Sequence, residues 1–142
     1  MAISLKLKKF LLKIAILILA FIVGVFPGLV YALPQDGEIV SGAGSISNDG
    51  AGNLTVNQTS DKIAIDWQSF SIGSNESVMF LQPSASASAL NNVIGSLGSV
   101  IQGTLNANGQ VILTNPNGIH INPTANIDVG SLISSTLNIS TQ

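Results

Sequence analysis

Gly103-Thr104-Leu105-Asn106-Ala107-Asn108-Gly109-Gln110-Val111-Ile112-Leu113-Thr114-Asn115-Pro116-Asn117-Gly118-Ile119 alternates apolar and polar residues in short runs, each closed by an Asn-Gly step. Two-residue alternation marks a half-buried strand, and Asn-Gly supplies residues that tolerate positive φ. Inside this stretch, Asn115-Pro116-Asn117-Gly118 reads as a tight turn between strands Val111–Thr114 and Ile119–Ile121. Proline fixes φ near about −65° at the second position, asparagine suits the third and glycine closes the turn. The Asn115 side chain can bond forward to the backbone as an Asx turn.

Working outward, similar runs recur on both sides. Glu38-Ile39-Val40, Leu54-Thr55-Val56, Lys62-Ile63-Ala64-Ile65-Asp66-Trp67 and Val78-Met79-Phe80-Leu81 precede it; Ile127-Asp128-Val129 and Ser131-Leu132-Ile133 follow. Asn48-Asp49-Gly50 is a further turn signal. Pro83 to Ala89 is rich in serine and alanine and reads as a loop; Leu90 to Val100 carries two glycines and reads as a loop or one short turn. Many short strands suit a sandwich, a barrel or a solenoid. The apolar positions here are mostly Ile, Val and Leu, with only 5% aromatics, which suits a narrow aliphatic column. Strand pairs recur at about twenty residues, Leu105 to Ile127 and Ile119 to Ile139, near the repeat of one parallel β-helix coil. Pattern alone leaves β-helix and sandwich both open.

The charge distribution divides the chain. Four of its five basic residues, Lys6, Lys8, Lys9 and Lys13, stand at the front; beyond Ala32 there are seven acidic side chains and one lysine, Lys62. Nucleic-acid binding needs several cations to neutralise phosphates, so nucleic acid is excluded as a partner. The absence of cysteine removes thiolate metal sites, disulfides and cysteine nucleophiles.

The lysines are followed by an uncharged apolar run from Ile14 to Phe26, then Pro27-Gly28, then Val30-Tyr31-Ala32 before Leu33. A basic start, an apolar middle and a small-x-small exit describe a secretory signal peptide over residues 1–32, cut between Ala32 and Leu33. The run is about thirteen residues, short of the roughly 20 that span a bilayer. Counted on through Tyr31 it reaches about eighteen, and an uncleaved anchor is the alternative reading. Both send residues 33–142 out of the cytoplasm by the general secretory machinery.

Ser60-Asp61-Lys62-Ile63-Ala64-Ile65-Asp66-Trp67-Gln68-Ser69-Phe70-Ser71-Ile72-Gly73, taken with the stretch Gly103–Ile119, resembles the N-terminal domain of filamentous haemagglutinin-like exoproteins, the TPS domain of two-partner secretion. Val78–Pro83, Ala89–Val93 and Ile127–Leu137 fit the same pattern in the same order. The resemblance implies an all-β domain: a right-handed, single-stranded parallel β-helix behind the signal helix. It further implies secretion to the cell surface or medium through the periplasm of a Gram-negative-type envelope. The implied partner is an outer-membrane TpsB-type β-barrel transporter with POTRA domains, for which the domain is recognition signal and folding template. The full protein would be an adhesin or haemagglutinin-like surface protein, and the domain itself a monomer. Two positions depart from the family pattern: Ser84 to Ser88 stands where one branch has a further Asn-Pro-Asn, and Asn92 where many relatives carry arginine. Family domains also continue further than Gln142 before a passenger begins, so the domain is expected to be incomplete at this end. A free-standing secreted β-solenoid that binds a surface or glycan is the alternative.

The chemistry-bearing residues do not assemble an enzyme. His120 is the sole histidine and alternates away from Ile119 and Ile121, with no nucleophile elbow in the sequence. Asp36, Asp49, Asp61, Asp66 and Asp128 are scattered, whereas β-helix lyases and hydrolases need clustered carboxylates, often with calcium. No catalytic residue, metal, cofactor or small-molecule substrate is expected. Trp67 and Phe70 are read as packing residues rather than a sugar-stacking surface.

Overall fold

The computed structural model describes residues 4–24 and 32–138. The chain divides into two compact units, Met1–Val30 and Tyr31–Gln142. In the first, helix α1 spans Leu5–Gly24. Among the described residues no helix is long and apolar enough to cross a membrane. The Pro27-Gly28 break, the Val30-Tyr31 exit and the spacing to Ile139 lie outside the described residues.

The second unit is built from ten strands: β1 Glu38–Ser41, β2 Gly44–Asn48, β3 Asn53–Gln58, β4 Lys62–Trp67, β5 Ser77–Leu81, β6 Ser88–Val93, β7 Ser99–Ile101, β8 Thr104–Thr114, β9 Ile119–Ile121 and β10 Asn126–Ser135. Together they form a β-solenoid of about four turns. One face stacks β3, β5, the first half of β8 and the first half of β10 in parallel. A second face stacks β4, β6, the second half of β8 and the second half of β10. The third joins β7 to β9, with Ile72 bridged to Ile101.

Register explains the alternation. Leu54, Val78, Leu105 and Ile127 share one column, and Ile63, Ala89, Val111 and Leu132 another. Each inward side chain rests on its counterpart one coil away, so the core is a set of aliphatic stacks rather than two interleaved layers. Burial of these residues supplies the main stabilising term, at roughly 25 cal/mol per Å² of apolar surface. Trp67 and Phe70 lie inside it, both 1% exposed, with rings 5.7 Å apart in an edge-on contact.

Two features differ from the sequence reading. The first is Leu90 to Val100, which holds the end of β6 and most of β7 rather than a loop. The helical spacing of Leu90, Val93, Ile94 and Leu97 defines no buried face, since Ile94 and Leu97 are exposed. Period two wins instead: Ala89, Asn91 and Val93 point inward against β4 and β8. The stretch Pro83 to Ala89 is a loop only to Ala87, because Ser88 and Ala89 open β6.

The second is strand direction at the N-terminal end. β1 pairs antiparallel with β4, and β2 antiparallel with β3. Ile39 and Ile46 pack against the core from these strands. The parallel stack is therefore covered at one end by reversed strands. At the other end β10 runs along the whole of β8, with Ile127, Val129 and Leu132 half-buried.

Candidate functional site

Asn115-Pro116-Asn117-Gly118 forms the corner between β8 and β9. Gly118 N donates to Asn115 O at 3.1 Å, which closes a four-residue turn. Asn117 lacks positive φ, which excludes a type II turn; Gly118 takes φ +107°.

Asn115 is the fixed point. It has no exposed surface. Its Oδ1 accepts from Asn117 N at 2.9 Å, the Asx bond the sequence suggests, and from Asn117 Nδ2 at 3.1 Å. Its Nδ2 donates to Leu97 O and to Ser99 Oγ, both at 2.9 Å, on the preceding coil. The Asn115 main-chain N donates forward to Ser135 O at 3.0 Å. One side chain thus ties its own turn to the coil before it. Asn117 Nδ2 adds a 2.8 Å bond to Gly95 O.

The motif splits in two by exposure. Asn115 is enclosed and its polar atoms are used, whereas Pro116 and Asn117 are exposed. A partner can touch Pro116, Asn117 and the half-buried Gly118 directly, but not Asn115. Beside them runs an open groove of about 520 Å³ lined by Leu97, Gly98, Ser99, Val100, Asn117, Gly118, Ile119 and His120. No carboxylate lines it, so His120, exposed at its rim, has no acid partner there. Among the described residues no group of three or more His, Cys, Asp or Glu is placed to hold a metal ion.

The other expected site residues stand at the start of the solenoid. Ala32 is exposed, while Leu33 and Pro34 are buried. Ala32 N donates to Glu76 Oε1 at 2.7 Å. Glu76 escaped the sequence reading. Its only local signal is the turn-forming Gly73-Ser74-Asn75 before it, and its partner is far away in the chain.

A second unforeseen group is polar and internal. Gln82 Nε2 donates to Gln58 Oε1 at 3.1 Å, and its Oε1 accepts from Gly109 N at 2.8 Å. Asn108 bonds both the N–H and the carbonyl of Gln82, at 2.7 and 2.8 Å. These bonds knit the corners of successive coils. On the second face Asn92 Nδ2 donates to Asp66 Oδ1 at 2.9 Å and its Oδ1 accepts from Thr114 Oγ1 at 3.0 Å. Asn92 thus fits its position as a rung linking three coils.

A stack of parallel coils with reversed cover strands and an Asn-Pro-Asn-Gly corner defines a protein of the β-solenoid class. Residues 31–142 match the TPS secretion domain family, and the chain belongs to it. It is 45% identical over 113 residues to a heme/hemopexin-binding protein of Haemophilus influenzae, covering 77% of this chain and 12% of that protein. A second heme/hemopexin-binding protein, from the Rd strain of that species, is 43% identical over 115 residues, covering 78% of this chain and 13% of the relative. The crystal structure of the HMW1 secretion domain from Haemophilus influenzae superposes with a TM-score of 0.70 at 36% identity, covering 75% of this chain and 28% of that one. The chain therefore spans only about an eighth of the length of these curated relatives. It is the TPS secretion domain of a two-partner-secretion exoprotein, a secretion module and not an enzyme.

Proposed function

We propose that residues 1–32 direct the chain across the inner membrane, that cleavage between Ala32 and Leu33 releases it to the periplasm, and that the solenoid is then read by a TpsB-type outer-membrane barrel through its POTRA domains. The exported domain serves next as the template on which a downstream passenger coils. The observation that carries this reading is β10. Its ten residues pair with β8 along one edge, and among the described residues no strand covers the other. A parallel edge with half-buried Ile127, Val129 and Leu132 suits addition of one more coil.

The passenger of the full protein would act at the cell surface. Adhesion is one role; heme/hemopexin binding, for which the two relatives are named, is another. Either activity would reside outside this domain.

Co-expression with the transporter tests the reading. The chain should reach the medium with the transporter and remain periplasmic without it. Release that does not depend on the transporter would favour a free-standing secreted solenoid that binds a surface by itself.

A further inference from the structure

Glu76 is a carboxylate held at only 8% exposure. Its Oε1 accepts from Ala32 N and its Oε2 from Gly73 N, both at 2.7 Å. These partners are neutral backbone groups. Gly73 makes room for the carboxyl, since a Cβ there would lie 3.1 Å from both Glu76 Cδ and Oε2. The Glu76 backbone is also fixed: its N–H donates to Gly73 O at 3.0 Å and its carbonyl accepts from Thr104 N at 3.0 Å.

The facing segment is equally fixed. Leu33 has no exposed surface and belongs to the core cluster. Gln35 Nε2 donates to Leu33 O at 2.6 Å, and Gln35 N donates to Ser69 O at 2.9 Å. A buried carboxylate is costly unless a cation opposes it, and Lys62, the one lysine of the exported segment, opens β4 as an exposed residue.

We infer that Glu76 is the receptor for the α-ammonium created on Leu33 when the leader is removed, so that the fold binds its own processed N-terminus. The inference rests on the cleavage between Ala32 and Leu33 proposed above. Hydrolysis places water's oxygen on the Ala32 carbonyl as a carboxylate and leaves Leu33 N as an amine. With an ordinary pKa of about 7.7–8.0, that amine is mostly protonated at neutral pH. Ala32 departs with the leader and takes its N–H away from Oε1. Leu33 N stands one residue along, at most about 3.6 Å from the lost donor. The buried Leu33 side chain and its bonded carbonyl keep it there. A neutral N–H is thereby exchanged for a cationic donor, so the carboxylate gains an opposite charge at a site where partial burial limits screening. The order of events also follows: the scissile bond adjoins a core residue, so cleavage precedes closure of this segment.

Mass spectrometry of the processed protein recovered from the periplasm first establishes its N-terminus. The α-amine of a protein beginning at Leu33 should then be acetylated about tenfold more slowly than that of its Glu76→Gln variant, with Lys62 reacting equally in both. Acetylation of the α-amine should lower the melting temperature of the unsubstituted protein and leave that of Glu76→Gln unchanged. Equal α-amine rates in the two folded proteins would overturn the inference and leave the cleavage reading intact. Should Glu76→Gln fail to fold, an unchanged melting temperature on acetylating the unsubstituted protein overturns it alone. An N-terminus other than Leu33 removes the cleavage reading and the inference with it.

Discussion

Trp67 Nε1 donates to Asn91 Oδ1 at 3.0 Å, one coil apart and inside the aliphatic core. Asn91 lies in the column between Ile65 and Leu113 and has no exposed surface. Its Nδ2 reaches Ala89 O and Ile112 O at 3.3 and 3.4 Å. Among the described residues no buried side-chain polar atom lacks a partner.

Asn91→Leu extends the aliphatic column but strands the indole N–H. An unsatisfied buried donor costs about 1–3 kcal/mol, so the variant should lose that much stability despite its greater apolarity. Chemical denaturation measures it. A variant as stable as the parent would show that the indole N–H has found another acceptor.

Gly118 offers a cleaner backbone test. A Cβ there would meet nothing within 4 Å, yet φ is +107°. Gly118→Ala and Gly118→Val should both destabilise by about 1–3 kcal/mol through strain alone. A much larger loss for valine would mean that space, not φ, is limiting. Thermal unfolding of the two variants decides.

The Asn-Pro-Asn-Gly corner predicts a separation of effects. Asn115→Ala removes buried bonds to Leu97 and Ser99 and should cost about 1–3 kcal/mol. Pro116→Ala, at an exposed site, should change stability by less than about 1 kcal/mol. If the transporter touches this corner, secretion falls with Pro116→Ala while melting stays constant. Secretion that tracks stability across both variants would assign the corner a purely structural role.

Asp49 organises the turn between β2 and β3. Its hydrogen bond from the Asn53 side chain, and those from the Ala51 and Asn53 main-chain N–H groups, hold its carboxyl below the ordinary value of 3.8. A depressed carboxyl contributes stability that is fully present above about 3.8 and is lost as pH falls through the lower folded value. Titration of the Asp49 carboxyl by NMR should give a midpoint below 3.8, and in Asn53→Ala it should move upward. No movement in that variant would discard the Asn53 side chain as the main cause.

Much of this fold was legible because inward positions are Ile, Val or Leu at every second residue. β4 and β9 fall where Lys62–Trp67 and Ile119–Ile121 place them. β6 was not legible, since its inward residues are Ala89, Asn91 and Val93, and the middle one is polar. Strand direction was hidden for a different reason: alternation is the same in parallel and antiparallel pairs. The corner at Asn115 could be read as a turn from its Pro and Gly. Its burial could not, because Leu97 and Ser99 lie a full coil earlier. Glu76 was invisible likewise; the distance to Ala32 is bridged only by folding.

The reversed strands over the first coil limit how copies of this domain can associate. An open β10 edge could continue in parallel only onto a strand of matching direction, and the opposite end presents β1 and β2, which run the other way. β1 is four residues long with an irregular register at Ile39–Ser41, and β2 is a short run of Gly, Ser, Ile and Asn. Short, kinked edges of this kind resist sheet-to-sheet association. Head-to-tail polymers need two complementary ends, and the N-terminal end does not supply a parallel one. With reversed strands over its first coil, a secreted solenoid of this construction offers no parallel edge at its N-terminal end on which a fibre could grow.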